Sequence, residues 1–583
     1  MADAPDFQAQ LDRVHEHLKQ RARDLATLPT IARPDLIELA LREAPADLPG
    51  AGLGLQETTT HLLETICPAL APGQAGPRFF GLVTGGVTPA AQLADMLVSS
   101  YDPCVQEATV SVALEDLTLR YLLSLLSLPR ARFTHNTLTT GATASNVLGL
   151  CLGRDWTVAR IQRTRHSRAG WSVPEDGFGA VEVDVFVSDA HASVKKAAAL
   201  AGIGRRNVID LGDRVKEERG YLACFDLERL EACLRRNEHA GRASIVVVSF
   251  GEVNTGALAS DTPAVRGLCD RYHAHLHLDA AFGAFAILDP SFAHYAPHLA
   301  LADSITSDAH KWLNVPYDCG LFFSRRIAFE GDAAAGAEPG TASLFELTGP
   351  GASAPAYLAG SRKSAEGERV DFPLLEESRA LPSPLFMGIE NSRRFRALPL
   401  YASLLSLGAS GYADLVQRNI AFARRAEAYL RAHPAFEVLT PEWPEPVGSA
   451  AENESTALVD PRPAADPSDP WRFRPLNIVL FAPSPLAPST YLPSSGPSGA
   501  AKFLAKLNES REGFFTGTVW RGRAAVRMAV SNGMTGTAAG RSQGSDAERD
   551  WEAKGASEEK KGQDSGERDW EVVRGIFERV AKG

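Results

Sequence analysis

Four short segments of this 583-residue chain carry residue types that could do chemistry together. Lys311 lies in the run TSDAHKWLNVPYDCG, residues 306–320, which is otherwise rich in small and apolar residues. Lysine is rarely buried without a partner, so an amine in such a run needs a chemical reason. The other three segments are HAHLHLD, which ends at Asp279, DAHASVKKAA, which contains His191, and the small-residue turn TTGATASN at 139–146.

Each of these residues alone has an ordinary interpretation as a surface charge, a turn residue or a loop histidine. Together they match the needs of pyridoxal phosphate, which takes a lysine for a Schiff base, a carboxylate at its pyridine nitrogen and a cradle for its phosphate. Lys311 is the candidate for the Schiff base, and Asp279 is the candidate for the ring nitrogen. His191 could stack on one face of the ring, and Ala281 is small enough to pack on the other.

The elements that must position these residues read as an α/β domain. The strand-like runs VEVDVFVS, ASIVVVSF, HAHLHLD and CGLFFS alternate with helical stretches rich in small residues. Such strands predict a parallel sheet that is covered by helices on both faces. Ligands of these sheets bind beyond the carboxyl ends of the strands, where we expect Lys311 in a loop directly after a strand.

Changes in composition and hydrophobic periodicity along the chain predict three regions. Residues 1–75 read as helical segments, 76–395 as the large α/β domain and 396–583 as a smaller α+β domain. The small domain contains stretches rich in Pro, Ser or polar residues, which we interpret as disordered insertions at 441–471, 483–499 and 533–566.

Composition excludes several classes of protein. The formal net charge of -11 argues against a nucleic-acid binder, which would show a basic patch. No apolar run approaches the ~20 residues of a membrane span, and the first residues lack the apolar core of a secretory signal. The seven cysteines are scattered without CxxC spacing, which favours reduced thiols in a cytoplasmic enzyme over disulfides or a metal site.

The set of segments resembles the group II pyridoxal-phosphate-dependent amino-acid decarboxylases, the glutamate and aromatic-L-amino-acid decarboxylase type. The resemblance covers most of the chain, and HKW together with DAAFG is its most specific part. The matching segments are PRFFGLVTGGVTPAAQLADML (77–97), TTGATASN (139–146), SDAHASVKKAAALAGIG (188–204), HLDAAFGAF (277–285), DAHKW (308–312), ENSRRFRALPLYASLLSLG (390–408) and TGTVWRGRAAVRMAVSN (516–532).

The resemblance implies the fold of the aspartate aminotransferase type, fold type I, with an internal Schiff base at Lys311. It implies that Asp279 pairs with the pyridine nitrogen and that His191 stacks on the ring and helps to orient the substrate carboxylate. Ala142 and Thr143 would bind phosphate, and Ser307 and His310 are further candidates. It also implies a cytoplasmic homodimer with active sites at the interface, to which the N-terminal arm contributes.

Two segments depart from the family pattern. GEVNTG at 251–256 stands where the family often has Gly-Thr-Thr, which puts the usual threonine contact to the cofactor in doubt. Many members carry a tyrosine in a mobile loop that protonates the carbanion, but this chain has no tyrosine between Tyr357 and Tyr401 and offers Phe372 instead.

The leading hypothesis is decarboxylation of an L-amino acid to an amine and carbon dioxide. The tyrosine-free loop keeps an aldehyde synthase as an alternative, and a carbon–carbon lyase or a non-enzymatic regulator on the same scaffold are further ones. Phe79 and Phe80, which are either substrate-side residues or ordinary core, favour an aromatic substrate. Arg78 is the only arginine of that segment, so a second substrate carboxylate, as in glutamate, is disfavoured.

Overall fold

The computed structural model describes residues 4–105, 109–166, 171–325, 327–328, 341–342, 344–348, 386–442, 471–492, 498–536 and 559–583. The chain forms two compact units. The sheet unit contains residues 89–413 and 441–476, and the terminal unit contains residues 1–88, 414–440 and 477–583. The three regions expected from the sequence stay a prediction. Most of the expected insertions 441–471 and 533–566, the candidate mobile loop with Phe372, and Tyr357 before it lie outside the described residues. The prediction of disorder for 483–499 is wrong for its first ten residues, because Ser489–Tyr491 form a 3-10 turn whose Tyr491 is buried in the core of its unit.

Eighteen α-helices are present in the described part of the chain. They are α1 Ala4–Asp24, α2 Pro34–Glu43, α3 Gly54–His61, α4 Cys67–Ala69, α5 Pro89–Tyr101, α6 Ser111–Leu125, α7 Ala142–His166, α8 Val173–Asp176, α9 Ala192–Leu200, α10 Arg214–Glu218, α11 Leu227–Ala240, α12 Thr262–Arg271, α13 Ala296–Leu299, α14 Ala309–Trp312, α15 Leu344–Thr348, α16 Ala397–Ala432, α17 Ser498–Asn508 and α18 Glu559–Lys582. A non-helical residue, Gly408, interrupts α16.

Thirteen strands are present in the same described ranges. They are β1 His135–Thr139, β2 Val183–Val187, β3 Val208–Asp210, β4 Ala243–Ser249, β5 His275–Asp279, β6 Ser304–Asp308, β7 Gly320–Ser324, β8 Ile327–Ala328, β9 Thr341–Ala342, β10 Phe436–Val438, β11 Ile478–Pro483, β12 Thr516–Trp520 and β13 Arg523–Ala529.

The sheet unit is built on a seven-stranded sheet with the order β1-β7-β6-β5-β4-β2-β3. Strands β3, β2, β4, β5 and β6 pair in parallel, as the apolar runs predict. Strand β7 runs antiparallel to both β6 and β1. The connection from β6 to β7 spans only residues 309–319, which is too short for a parallel crossover, so the chain has to turn back. The mostly parallel sheet confirms the predicted fold class.

Helix α7 packs across β4, β5, β6 and β7, and α9 packs beside it. Small and β-branched side chains fill the layer between α7, α9 and β2, with Val185, Ala197 and Ile245 fully buried. The helix α7 starts directly after β1, so the turn between them lies at the carboxyl edge of the sheet. This packing fixes the start of α7 against the strand ends.

The position of Lys311 differs from the expectation. The sequence predicted a loop, but residues Ala309–Trp312 form the single helical turn α14 immediately after β6. Trp312 and Leu313 are fully buried there, because the chain must cover the end of the sheet before it enters β7. The helical turn holds the backbone of Lys311 against the sheet.

The terminal unit has a four-stranded antiparallel sheet with the order β10-β11-β13-β12. Its core is rich in phenylalanine. Phe80 packs on Phe422 and Phe515, and Phe79 stacks on Phe514. Phe79 and Phe80 both belong to the packed core of this unit. This agrees with the interpretation of these two phenylalanines as ordinary core residues.

Among the residues that the structure describes, no helix combines the length and apolarity that a membrane crossing requires.

The C-terminal helix α18 should be a main source of stability for the terminal unit. Phe577 is fully buried and its ring lies 5.8 Å from those of Phe436 and Phe481. We expect Phe577→Ala to lower the free energy of unfolding by about 3–5 kcal/mol, because it removes a buried ring and leaves a cavity. Urea unfolding followed by fluorescence measures this loss.

The control for this variant is Leu486→Ala in the same unit, since Leu486 is 77% exposed. Its effect should stay within about 0.5 kcal/mol. Equal unfolding midpoints for the two variants would contradict the assignment of α18 to the core.

Candidate active site

The carboxyl ends of the parallel strands bring the predicted residues to one edge of the sheet. Asp279 is the last residue of β5 and pairs in register with Ser249 of β4 and Thr306 of β6. Lys311 follows β6 by one helical turn, and His191 follows β2 at the start of α9. Residues that are far apart in sequence therefore meet at the edge where ligands of such sheets bind.

Lys311 is held by a carboxylate. Its Nζ lies 3.0 Å from Oδ2 of Asp308, whose side chain is only 3% exposed, while the lysine side chain is 24% exposed. The sequence predicts an amine among small and apolar residues, and the structure pairs that amine with its neighbour Asp308. A buried carboxylate at this distance orients the amine.

Asp308 also holds the turn that leads into α7. Its Oδ1 accepts a hydrogen bond of 2.6 Å from the backbone N–H of Ala142. The sequence predicted that Ala142 would bind phosphate, but in this structure its N–H is already engaged. Thr143 and Ala144 follow in the first turn, where backbone N–H groups have no intrahelical acceptor. The start of α7 can therefore still receive an anion through those groups.

A glycine makes room for this turn. Gly320 of β7 lies in register between Thr139 of β1 and Asp308 of β6. A Cβ atom at Gly320 would lie 2.3 Å from Oγ1 of Thr139 and 2.5 Å from Cα of Gly141. The turn can approach the sheet only because this position has no side chain.

Asp279 is a buried carboxylate with one amide as its hydrogen-bond donor. It is 7% exposed, and its Oδ2 accepts a hydrogen bond of 2.9 Å from Nδ2 of Asn146. Within the described ranges, no lysine or arginine forms an ion pair with it. Burying a charge without a cation is costly, so the site calls for a positively charged ligand group. The protonated ring nitrogen of pyridoxal phosphate is such a group, and the residues present fit this cofactor.

His191 caps helix α9 with its own ring. Its Nδ1 accepts a hydrogen bond of 3.2 Å from the backbone N–H of Ser193 and lies 2.8 Å from the Ser193 hydroxyl. In the neutral ring the proton is therefore on Nε2, because Nδ1 acts as the acceptor. The ring is exposed at the sheet edge, where Nε2–H can act as a donor.

The two further candidates are engaged by the backbone. The Ser307 hydroxyl is buried and lies 3.5 Å from the carbonyl oxygen of Ala281, on the face of β6 opposite Asp308. Nδ1 of His310 lies 3.0 Å from the carbonyl oxygen of Cys319, and its ring packs 4.4 Å from that of Tyr317. Burial lowers the pKa of His310, so its neutral ring serves packing here.

The segment GEVNTG closes its own turn. Glu252 is 3% exposed, and its carboxylate accepts hydrogen bonds from the backbone N–H groups of Asn254 and Thr255 and from both of their side chains. Burial raises the pKa of Glu252, and the hydrogen bonds from the Asn254 N–H and from the side chains of Asn254 and Thr255 oppose that rise. The departure from the family pattern thus produces a self-contained turn after β4.

Sequence reasoning missed Asn146, His277 and Asp308. A signal was present, because His275, His277 and Asp279 alternate in a strand that was expected to be buried on both faces. Polar residues with a period of two share one face of a strand, so they must be paired with one another or with the helix above them. No signal in the sequence identifies the helix residue that pairs with them.

Comparison with known proteins places this geometry in a family. The model of the pyridoxal-dependent decarboxylase conserved domain matches residues 40–328, which include all the site residues described above.

Two curated relatives are decarboxylases by name. The L-2,4-diaminobutyrate decarboxylase of Acinetobacter baumannii is 27% identical over 52% of this chain and 52% of its own length. Tryptophan decarboxylase 1 of Oryza sativa subsp. japonica is 22% identical over 75% of this chain and 79% of its own length. The match with the first of them thus spans about half of that relative.

A solved structure has the same fold. The crystal structure of Oryza sativa TDC with PLP and tryptamine superposes with a TM-score of 0.71 at 19% sequence identity. The alignment covers 100% of this chain and 99% of that one.

The glycine of β7 gives a direct test of the site geometry. Gly320→Ala should weaken binding of pyridoxal phosphate about tenfold or more, because the new Cβ pushes the turn before α7 away from the sheet. Fluorescence titration of the protein with the cofactor measures this change.

Gly388→Ala is the matched control, since a Cβ there meets nothing nearer than the Thr137 hydroxyl at 3.7 Å. Its cofactor affinity should equal that of the wild type. Unchanged affinity in Gly320→Ala would mean that the turn does not hold the cofactor.

Proposed function

The chain belongs to the pyridoxal-dependent decarboxylase family, and we propose that it is a PLP-dependent carboxy-lyase that converts an L-amino acid into the amine and carbon dioxide. The observation that carries this proposal is the meeting of Lys311, buried Asp279 and the start of α7 at one edge of the sheet. Each serves one part of the cofactor, and a purely structural role would not require all three residue types there.

Each residue of the candidate site would hold a different part of the cofactor. Lys311 would carry it through Nζ, Asp279 would pair with its ring nitrogen, and Thr143 would help to hold its phosphate. His191 and Ala281 would lie against the two faces of the ring. When bound, pyridoxal phosphate supplies an electron sink for the electron pair that the departing carboxylate leaves behind.

His191 is the residue best suited to donate a hydrogen bond to the substrate carboxylate. Its Nδ1 is occupied as an acceptor by Ser193, so Nε2–H is the donor that can face a ligand. A donor there would orient the substrate carboxylate in the ground state.

An aromatic L-amino acid is the substrate class that we favour. Arg78 cannot hold a second substrate carboxylate, because its guanidinium is 2.7 Å from Asp569 and also donates to the carbonyl oxygens of Ala26 and Glu512. Glutamate-like substrates are thereby disfavoured. The name of the rice relative points to an aromatic amino acid, and the name of the Acinetobacter relative points to L-2,4-diaminobutyrate as the second candidate.

The product is the amine in this proposal, and an aldehyde is the alternative. The segment between Tyr357 and Tyr401 contains no tyrosine. If no other acid protonated the carbon, oxygen could intercept it and aldehyde with hydrogen peroxide would form. We favour the amine because the matching family model and the two relatives named above are decarboxylases.

We also propose a homodimer with active sites at its interface, located in the cytoplasm. Helix α5 presents Leu93, Leu97 and Tyr101 at 63%, 51% and 80% exposure. Apolar side chains grouped on one helix indicate an interaction surface, and a second copy of the chain is the partner that the family resemblance implies.

The activity has a direct test. Purified protein with pyridoxal phosphate should release carbon dioxide and an equal amount of amine from one member of a panel of aromatic, acidic and basic L-amino acids. Lys311→Ala should lose at least about a thousandfold in kcat, because the group that carries the cofactor is gone. Lys195→Ala, which changes an exposed lysine of α9, should match the wild type.

The products distinguish the alternatives. Aldehyde and hydrogen peroxide in place of amine would identify an aldehyde synthase. Turnover of L-2,4-diaminobutyrate alone would correct the substrate class. No release of carbon dioxide from any amino acid by protein that binds the cofactor would reject the proposal.

The dimer has a separate test. The double change Leu93→Asp and Leu97→Asp should shift the protein from dimer to monomer in light scattering after gel filtration, because two charges would be buried in the interface. Leu200→Asp, at a 65% exposed position of α9, is the control and should remain dimeric. A dimer that survives the double change would exclude α5 from the interface.

A further inference from the structure

A line of polar side chains runs through the interior of the sheet unit behind the candidate site. His275 and His277 of β5 are fully buried and share one face of the strand with Asp279. Ser304 of β6 is also fully buried on that face, beneath α7. Neither histidine is one of the residues proposed above to hold the cofactor or the substrate.

Asn146 connects this line to Asp279. Its Nδ2 donates a hydrogen bond of 2.9 Å to Oδ2 of Asp279, and its Oδ1 lies 2.9 Å from Nε2 of His277. Nδ1 of His277 lies 2.8 Å from the Ser304 hydroxyl, which is 2.9 Å from Nε2 of His275. We call Asn146, His277, Ser304 and His275 the buried relay.

The chemistry of each group fixes where the protons of the buried relay are. A carboxylate only accepts, so the amide of Asn146 must face Asp279 with Nδ2 and face His277 with Oδ1. His277 therefore donates from Nε2. Burial lowers the pKa of His277 to about 4, so the ring is neutral and Nδ1 is an acceptor.

The same logic continues to the end of the line. Ser304 has one hydroxyl proton, which must go to Nδ1 of His277, so its oxygen accepts the hydrogen bond from Nε2–H of His275. Every donor in the buried relay thus points toward Asp279. Aligned hydrogen bonds polarise one another, and their positive ends face the carboxylate.

Two glycines show that space is kept for the histidines. A Cβ atom at Gly149 of α7 would lie 2.3 Å from Cε1 of His277, and one at Gly153 would lie 2.7 Å from Cδ2 of His275. Glycine is the least favourable residue in a helix interior apart from proline. Helix α7 has both glycines in the positions that face the two imidazole rings.

The charges around the buried relay are accounted for. At its far end Nδ1 of His275 lies 3.8 Å from Oδ2 of Asp303, and Asp303 is paired with Arg266 at 3.0 Å and with Arg325. At its near end Lys311 is paired with Asp308. Thr306 adds a neutral hydroxyl 3.3 Å from Nε2 of His277. The described neighbours thus place no unpaired cation beside Asp279.

We propose that the buried relay presents Asp279 with a hydrogen-bond donor that carries no charge, so that the carboxylate stays available to the ring nitrogen of the bound cofactor and that nitrogen retains its proton. In the described part of the chain the Asn146 amide is the relay group that contacts the carboxylate, and the groups behind it align that amide without bringing a cation to Asp279. Asn146 and His277 are therefore positioning residues. This inference rests on the proposed function, because it requires pyridoxal phosphate on Asp279.

The test uses the holoenzyme with pyridoxal phosphate labelled with ¹⁵N in the ring. The ¹⁵N chemical shift reports whether the ring nitrogen carries a proton, independently of turnover. In the wild type we expect a protonated nitrogen from mildly acidic to mildly basic pH. His277 reaches Asp279 only through Asn146. In the variant His277→Leu, the ring nitrogen of the cofactor should lose its proton at a lower pH than in the wild type.

The kinetics should change in the same direction. His277→Leu should lower kcat on the order of tenfold to a hundredfold, because the Asn146 amide that donates to the Asp279 carboxylate loses its own hydrogen-bond donor, and KM should change much less. His277→Gln retains a donor toward Asn146 and should restore most of the ¹⁵N shift and of kcat.

A second pair of variants leaves the relay residues in place. Gly149→Ala should displace the His277 ring and reproduce the ¹⁵N change, whereas Gly267→Ala, where a Cβ meets nothing within 4 Å, should resemble the wild type. This pair keeps the test informative if His277→Leu does not fold.

The outcomes separate the two proposals. A wild-type protein that does not bind the cofactor, or binds it with an unprotonated ring nitrogen, would overturn the proposed placement on Asp279. A protonated wild-type nitrogen with unchanged ¹⁵N shifts in His277→Leu and Gly149→Ala would leave the proposed function intact and overturn the role of the buried relay.

Discussion

A buried negative charge without a cation is the constraint on which the site depends. Asp279 ends the central strand β5 and is almost fully enclosed. The free-energy cost of burying such a charge is offset only if hydrogen bonds are donated to it and a charged group of a ligand pairs with it. The support comes from Asn146 in the second turn of α7, so the helix that begins at the candidate phosphate site also holds the carboxylate.

A second carboxylate links the two ends of the cofactor site. Asp308 accepts the N–H of Ala142 with one oxygen and holds the amine of Lys311 with the other. The turn before α7 and the lysine are therefore positioned by the same side chain. Because Asp308 ends β6 and Gly320 of β7 leaves room beside it, the rigid sheet sets the distance between them.

The comparisons confirm the family, the cofactor and the fold class that the sequence predicted. Substrate and product depend on residues that vary within one scaffold, so the two relatives with different names are compatible with the same sheet and the same lysine. In the structure Arg78 is paired with Asp569, and Nδ1 of His191 accepts a hydrogen bond from the Ser193 backbone.

The sequence by itself determined most strands of the large sheet and the order of the landmarks, and it named Lys311 and Asp279 as candidate site residues, because apolar runs, turn residues and local motifs are short-range signals. Only the tertiary structure decided their partners. Asn146 meets His277 across 131 positions, and Asp308 meets Ala142 across 166. Such pairs form when a helix packs on a sheet, and neither periodicity nor composition specifies which side chains then face each other.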